Sequence, residues 1–206
     1  MNSSDLVRRA LAYLGCRTSP DDRLISLVGE CLAEAERLAH FRAVGEVFSR
    51  RLPFLQNAPY LQFLEGCAEY ALVAMTLGGE AELRVRALMK VDPARAVVLD
   101  ACASALVEAE GDKWEERFGK NRTFRFCPGY GGSSVSDNAF IFEALRPERI
   151  GMQLLPSGMM APQKSMAGII GIGKQGTRTC SGCMAAAGCK FFREGGICYR
   201  SEQSSS

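Results

Sequence analysis

Apolar residues near the N-terminus recur at the spacing of one helix face. Residues 5–14 form a short amphipathic pattern that Gly15 ends. A second pattern is better specified, because Ser19 can cap a helix, Pro20 suits its first turn, and the acidic pair Asp21–Asp22 favours its positive end. Its apolar positions are Leu24, Leu27, Val28, Cys31, Leu32, Ala35 and Leu38. The sequence therefore predicts two helices, the second with one face in the core.

Two strand patterns follow these helices. Residues 41–48 alternate loosely between apolar and polar side chains, which is typical of a half-buried strand. Residues 68–77 form a nearly continuous apolar run that Gly78–Gly79 closes, and this pattern predicts a strand inside the core. A further helix is predicted from there through Lys90.

The longest helical pattern begins at Asp92–Pro93 and runs to about Phe118. Its apolar stripe is rich in small residues, which allows close packing. Four polar residues lie four positions apart and so share one face of this helix; they are Asp100, Ser104, Glu108 and Asp112. Such a stripe is also what a solvated helix face looks like.

The remaining patterns complete an α+β chain with long helices and a mixed or antiparallel sheet. A short strand is predicted at 123–126, a helix from Asp137 to before Pro147, and strands at 152–155 and 165–172. We expect one main domain over residues 1–173, a cysteine-rich extension over 174–200 and a disordered tail over 201–206.

Composition and charge exclude several classes of protein. The 206 residues include 47% hydrophobic and 23% charged residues, with a formal net charge of +2, as in ordinary globular proteins. Basic residues are interspersed with almost as many acidic ones, so no nucleic-acid partner is expected. The polar N-terminus and the lack of a long apolar run predict a cytoplasmic protein without a membrane segment.

A turn at residues 125–130, Arg-Phe-Cys-Pro-Gly-Tyr, is the first candidate for chemistry. Pro128 fixes the backbone, Gly129 lets the backbone approach a ligand, and Arg125 offers a planar cation for a carboxylate. The alternative is an ordinary surface turn with a solvated arginine.

This turn resembles the signature Arg-x-x-Pro-Gly-Tyr of the activation domain of vitamin B12-dependent methionine synthase. Helix residues 101–117, residues 142–154 and residues 158–168 match the same family in order and spacing, so the resemblance covers roughly residues 65–173. It implies the fold of that domain and binding of S-adenosylmethionine. By resemblance, Arg125 would bind the methionine carboxylate, and Cys127, Pro128, Gly129 and Tyr130 would line the pocket. Glu108 would face the cofactor from the helix.

The resemblance also implies a role and a partner. The chain would be an auxiliary component, rather than a complete enzyme, for reductive methylation of cobalamin bound by a methionine synthase or another corrinoid protein. The alternative is a non-catalytic, metal-binding interaction module with a vestigial cofactor site. Replacement of the family's tyrosine pair near Arg178 and Thr179 supports this alternative. The presence of the matching residues Glu108, Arg125, Pro128, Gly129 and Tyr130 together supports the first interpretation.

Nine cysteines fall into two groups. Five are scattered and are expected to act as small buried apolar residues. Four lie within nineteen residues, at Cys180, Cys183, Cys189 and Cys198. A close Cys-x2-Cys pair followed by two wider spacings predicts a metal site, with an iron-sulfur cluster favoured and zinc as the alternative. A cluster there could deliver the electron that reductive methylation needs.

Overall fold

The computed structural model describes residues 3–16 and 19–174. Its α-helices are α1 (Ser3–Tyr13), α2 (Asp22–Leu38), α3 (Tyr60–Phe63), α4 (Glu80–Leu88), α5 (Pro93–Trp114) and α6 (Asn138–Leu145). Its strands are β1 (Arg42–Phe48), β2 (Glu69–Thr76), β3 (Gln153–Leu154), β4 (Met160–Ala161) and β5 (Ser165–Ile172). Single 3-10 turns lie at Pro53–Gln56, Glu115–Phe118, Val135–Asp137 and Pro147–Ile150.

The sheet is antiparallel, with β2 between β1 and β5. Ala74 of β2 pairs with Val44 of β1 on one side and with Ala167 of β5 on the other. Every residue of β2 after Glu69 is buried, because both edges of the strand are paired and both faces of the sheet are covered. The apolar run predicted to be a core strand is therefore confirmed.

One face of the sheet is covered by helices. α5 packs against α1, α2 and α4, and the side chains between them form an apolar core that includes Val28, Leu99 and Leu106. The other face carries an aromatic core around Tyr60, Tyr70 and Phe126, which α6 and the residues before β2 complete. The expected α+β fold with long helices and an antiparallel sheet is confirmed.

The residue predicted to begin a helix is correct for α5 and wrong for α2. Asp92 caps α5 by accepting a hydrogen bond from the Arg95 amide at 3.0 Å, with Pro93 in the first turn. At α2, however, the prediction of Ser19 as the cap is wrong. Asp21 caps this helix by accepting from the Leu24 amide at 2.8 Å, because the helix begins at Asp22 and Ser19 lies two residues before the capping position.

Two predicted boundaries also change. The segment 123–126 does not form a strand, since its contact with β5 is limited to isolated bridges at Arg122–Ile172 and Phe126–Ile169. The long helix ends at Trp114, and a 3-10 turn continues it to Phe118. None of the helices in the described ranges is long and apolar enough to cross a membrane.

Cysteines in the described part of the chain behave in two ways. Cys31 and Cys102 are fully buried between α2 and α5, as expected of small apolar residues. Cys16, Cys67 and Cys127 are only partly buried. The four clustered cysteines, like the predicted extension beyond Lys174 and the tail, lie outside the described residues.

Candidate functional site

Polar side chains from three elements meet at the C-terminal half of α5. They come from α1, from α5 itself and from the turn at residues 125–130. We refer to Tyr13, Glu108, Asp112, Arg125 and Tyr130 as the α5 cluster. Three of the predicted cofactor-binding residues, Glu108, Arg125 and Tyr130, thus belong to one region of the fold.

Glu108 contacts the last residue of α1. The Tyr13 hydroxyl donates a hydrogen bond to Glu108 Oε1 at 3.0 Å. Partial burial, followed by the Glu108 carboxylate, raises the pKa of Tyr13 above its ordinary value, and the nearby Tyr130 adds to this shift while Arg125 opposes it. Tyr13 is therefore a neutral donor at neutral pH, and its hydroxyl holds the Glu108 carboxylate by a hydrogen bond.

Arg125 is buried, so it is not the solvated surface arginine that was the alternative. Its guanidinium Nη1 bonds to Glu115, and its Nη2 lies 3.9 Å from Asp112 Oδ1. Met166 Sδ is 3.4 Å from Nη2. The Arg125 side chain is only 3% exposed. The positive charge of Arg125 is thus compensated within the protein. Glu115 is a close partner at Nη1, whereas Asp112 is a more distant one at Nη2.

Two glycines make room for the Arg125 side chain. A methyl group added at Gly168 of β5 would lie 2.5 Å from Arg125 Cγ and 2.9 Å from the Phe126 carbonyl oxygen. One added at Gly111 of α5 would lie 3.1 Å from Arg125 Nη1 and closer still to the sulfur of Met75. The arginine therefore runs between a helix and a strand that approach closely because neither has a side chain there.

Asp112 joins α1 to this arrangement. Arg9 Nη1 donates to Asp112 Oδ2 at 2.8 Å, and Arg9 Nε donates to Asp5 Oδ2 at 3.1 Å. Asp112 therefore lies between two cations, Arg9 at contact distance and Arg125 farther away. This carboxylate fixes α1 against the C-terminal half of α5.

The turn after Arg125 is closed by hydrogen bonds of its own. Gly129 has a φ of +92°, a conformation that glycine adopts without strain, and its amide donates to Ser133 Oγ at 3.1 Å. Ser133 Oγ in turn donates to the Tyr130 carbonyl at 2.6 Å. Pro128 is buried and Cys127 partly buried, whereas Tyr130 is 68% exposed. The turn thus presents the tyrosine ring to solvent beside α5.

The polar stripe of α5 continues away from the cluster. Lys164 is buried beside it, and its ammonium group lies 2.8 Å from Asp100 Oδ1 and donates to Ser104 Oγ at 2.8 Å. Each of the four stripe residues therefore has a partner, and the stripe is more than a solvated helix face.

Sequence reasoning missed several residues of this region. Nothing in the pattern of α1 marks Tyr13 or Arg9, because they lie about a hundred positions from their partners on α5. Glu115 carried no signal beyond a charge near a helix end. Within residues 3–16 and 19–174 no group of three or more histidine, cysteine or acidic side chains could hold a metal ion.

A separate open cavity of about 510 Å³ lies at the start of β1 and α4. Its lining residues are His40, Phe41, Arg42, Gly78, Gly79 and Glu80. None of them belongs to the α5 cluster. The site that the turn motif predicts is therefore distinct from this cavity.

Comparison with known proteins identifies the fold. No protein-family model and no curated protein matches the sequence. The chain nevertheless has the fold of a methionine synthase reactivation domain. One solved structure that it resembles is the MetH reactivation domain bound to AdoHcy. The TM-score is 0.65 at 16% sequence identity, and the alignment covers 95% of this chain and 83% of that chain.

Proposed function

We propose that this protein binds S-adenosylmethionine at the α5 cluster and presents it to cobalamin carried by a separate protein. The partner would be a methionine synthase or another corrinoid methyltransferase. The observation that carries the proposal is the grouping of Glu108, Arg125 and Tyr130 beside Tyr13 on a fold that is similar to a reactivation domain bound to AdoHcy. A carboxylate, a guanidinium and aromatic rings are the groups that an amino-acid moiety with an attached nucleoside needs.

Arg125 would hold the ligand carboxylate at its Nη2 edge. This edge faces Asp112 at 3.9 Å and a methionine sulfur, both of which are weak partners. Glu115 would remain on Nη1 and keep the guanidinium in place. Asp112 would keep its closer contact with Arg9, so the exchange leaves the link between α1 and α5 intact.

Glu108 would accept hydrogen bonds from the α-ammonium group of the ligand, because a carboxylate held by one neutral donor has further lone pairs for a cationic donor. The backbone of Cys127, Pro128 and Gly129, together with the ring of Tyr130, would form the adjoining wall. The chemistry that S-adenosylmethionine supplies is a methyl group on a sulfonium sulfur, for transfer to cobalt after one-electron reduction. The protein's own contribution would be positioning, which needs no acid or base.

The four clustered cysteines would add a metal to this function. Cys180, Cys183, Cys189 and Cys198 have the composition of an all-thiolate site, which we assign to an iron-sulfur cluster with zinc as the alternative. A cluster would supply the electron for cobalt reduction. This part of the proposal rests on cysteine spacing alone and is tested by metal analysis.

Calorimetry with S-adenosylmethionine tests the binding site. Arg125→Lys retains a charge for Glu115 but lacks the second nitrogen that would bind the ligand carboxylate. We expect its affinity for the ligand to fall by about tenfold or more, the scale of one charge-assisted hydrogen bond. Arg23→Ala, an exposed change on α2, is the control and should bind normally. Absence of binding to the wild-type protein, with a cobalamin-carrying partner present, would overturn the proposal.

One observation favours a second function. Because Arg125 is paired with Glu115 and almost fully buried, the old cofactor site could be vestigial and the protein a metal-stabilised interaction module. Metal analysis, partner binding and S-adenosylmethionine binding of the Arg125→Lys variant distinguish the two functions. The module would bind a partner and contain metal, yet Arg125→Lys would change neither property and S-adenosylmethionine would not bind.

A further inference from the structure

We propose that Tyr13 is a positioning residue of the S-adenosylmethionine site, which holds the Glu108 carboxylate in place for the α-ammonium group of the ligand. This inference rests on the proposed function and adds to the site a residue from the N-terminal helix.

The position of Tyr13 is set by the packing of α1. Leu6 and Ala10 lie on the same face of the helix as Tyr13, at spacings of four and three, and both are buried against α5. Tyr13 is the last residue of α1, and Gly15, with a φ of +67°, turns the chain away. The side chain is 52% exposed and so stands at the open edge of the helix contact. The packing of Leu6 and Ala10 therefore fixes where α1 ends, and the Tyr13 hydroxyl reaches Glu108 from this position.

The contacts between α1 and α5 form two successive steps. Arg9 pairs with Asp112. One turn later on α1, Tyr13 pairs with Glu108, which lies one turn earlier on α5. Both separations are four residues, as expected for antiparallel helices in contact. The two steps have different chemistry, since a cation meets Asp112 whereas a neutral hydroxyl meets Glu108.

The partner of Glu108 is a neutral hydroxyl rather than a cation. Among the described residues, no cation forms an ion pair with Glu108, although both Asp100 and Asp112 on the same helix face have one. A neutral donor fixes a carboxylate without removing its charge, so the carboxylate can still attract a cationic group. A ligand with an α-ammonium group supplies that cation, and Arg125 nearby would take its carboxylate.

The test compares two ligands on two variants. The ligands are S-adenosylmethionine and an analogue that lacks the α-amino group, with affinities measured by calorimetry. Tyr13→Phe retains the ring and removes the hydroxyl. We expect about fivefold weaker binding of S-adenosylmethionine, the loss of one hydrogen bond, and unchanged binding of the analogue. Tyr70→Phe is the matched control, because it removes a hydroxyl that bonds to Arg50 and Leu52 in the aromatic core.

The outcomes separate this inference from the proposed function. If the wild-type protein binds neither ligand, the proposed function fails. If it binds both and Tyr13→Phe weakens both equally, or weakens neither, the role of Tyr13 is overturned while the site stands. A double variant provides a second test. When Glu108→Gln is already present, adding Tyr13→Phe should have little further effect on the affinity for S-adenosylmethionine.

Discussion

The Arg125 guanidinium and the Glu115 carboxylate form an ion pair in which both side chains are almost completely buried, at 3% and 5% exposure. The pair connects the end of α5 to the turn that carries Tyr130. Removing two charges from water is costly unless they meet in good geometry, so each group depends on the other. The turn motif is therefore part of the protein core as well as of the candidate site.

Arg125→Met should destabilise the protein more than most single changes. It keeps much of the side-chain volume but leaves Glu115 as a buried carboxylate without its cation. We expect the free energy of unfolding to fall by about 3–5 kcal/mol in chemical denaturation. Adding Glu115→Gln should recover part of this loss, because a neutral amide is cheaper to bury. A loss below about 1 kcal/mol would show that the pair does not hold the turn.

Gly168→Ala should disturb the same region from the opposite side. The new methyl group would meet Arg125 Cγ at 2.5 Å and a backbone oxygen at 2.9 Å, and the backbone atom cannot easily move. We expect a loss of about 1–3 kcal/mol in stability together with weaker S-adenosylmethionine binding. Gly29→Ala on α2 is the control. No atom lies within 4 Å of its added methyl, so it should stabilise the protein by about 0.5–1 kcal/mol. Equal effects of the two changes would contradict the close approach at Gly168.

The sequence predicted those elements in which local signals agree with the fold. The Asp92–Pro93 helix start and the apolar run of β2 are strong signals, and both match the structure. At α2 both Ser19 and Asp21 have side chains that can cap a helix, and the sequence-based prediction of Ser19 was wrong. The segment 123–126 has strand-like composition, but only isolated bridges connect it to β5. The burial of Arg125 could not be predicted, since it depends on Gly111 and Gly168 from two other elements.

Stability should depend on pH through Glu34. Hydrogen bonds from Arg84 at 2.6 Å and Arg95 at 2.9 Å hold the pKa of Glu34 below its ordinary value of 4.5. A lowered folded pKa stabilises the protein above the ordinary value, and this contribution is lost as pH falls through the folded pKa. Unfolding measured from about pH 6 to pH 3 should therefore show a smaller decline for Glu34→Gln than for the wild type. A parallel decline in both proteins would show that Glu34 contributes nothing to acid sensitivity.

The metal prediction is tested by two cysteine variants. Cys183→Ser should abolish metal content after anaerobic preparation, because an all-thiolate site with one ligand removed is open to water and exchange. Cys102→Ser should retain the metal and change only stability, since Cys102 is fully buried against α2 with its thiol 3.7 Å from the Val28 carbonyl. Metal analysis and absorption spectra measure both. The reverse pattern would place the site elsewhere, and a metal-free wild-type protein after reconstitution would remove the electron-delivery role.

The link between α1 and α5 also orders the events of folding. α1 is synthesised before α5, and Glu108 and Asp112, the partners of Tyr13 and Arg9, lie 95 and 103 positions later in the chain. During synthesis, Tyr13 and Arg9 can therefore form these contacts only after α5 has emerged from the ribosome. Contacts of such long separation carry a large entropy cost of loop closure, so we expect them to form late in folding. The proposed binding site would then be complete only when the protein has reached its native state. A nascent chain should therefore acquire affinity for the ligand only after α5 and the other helices have packed together.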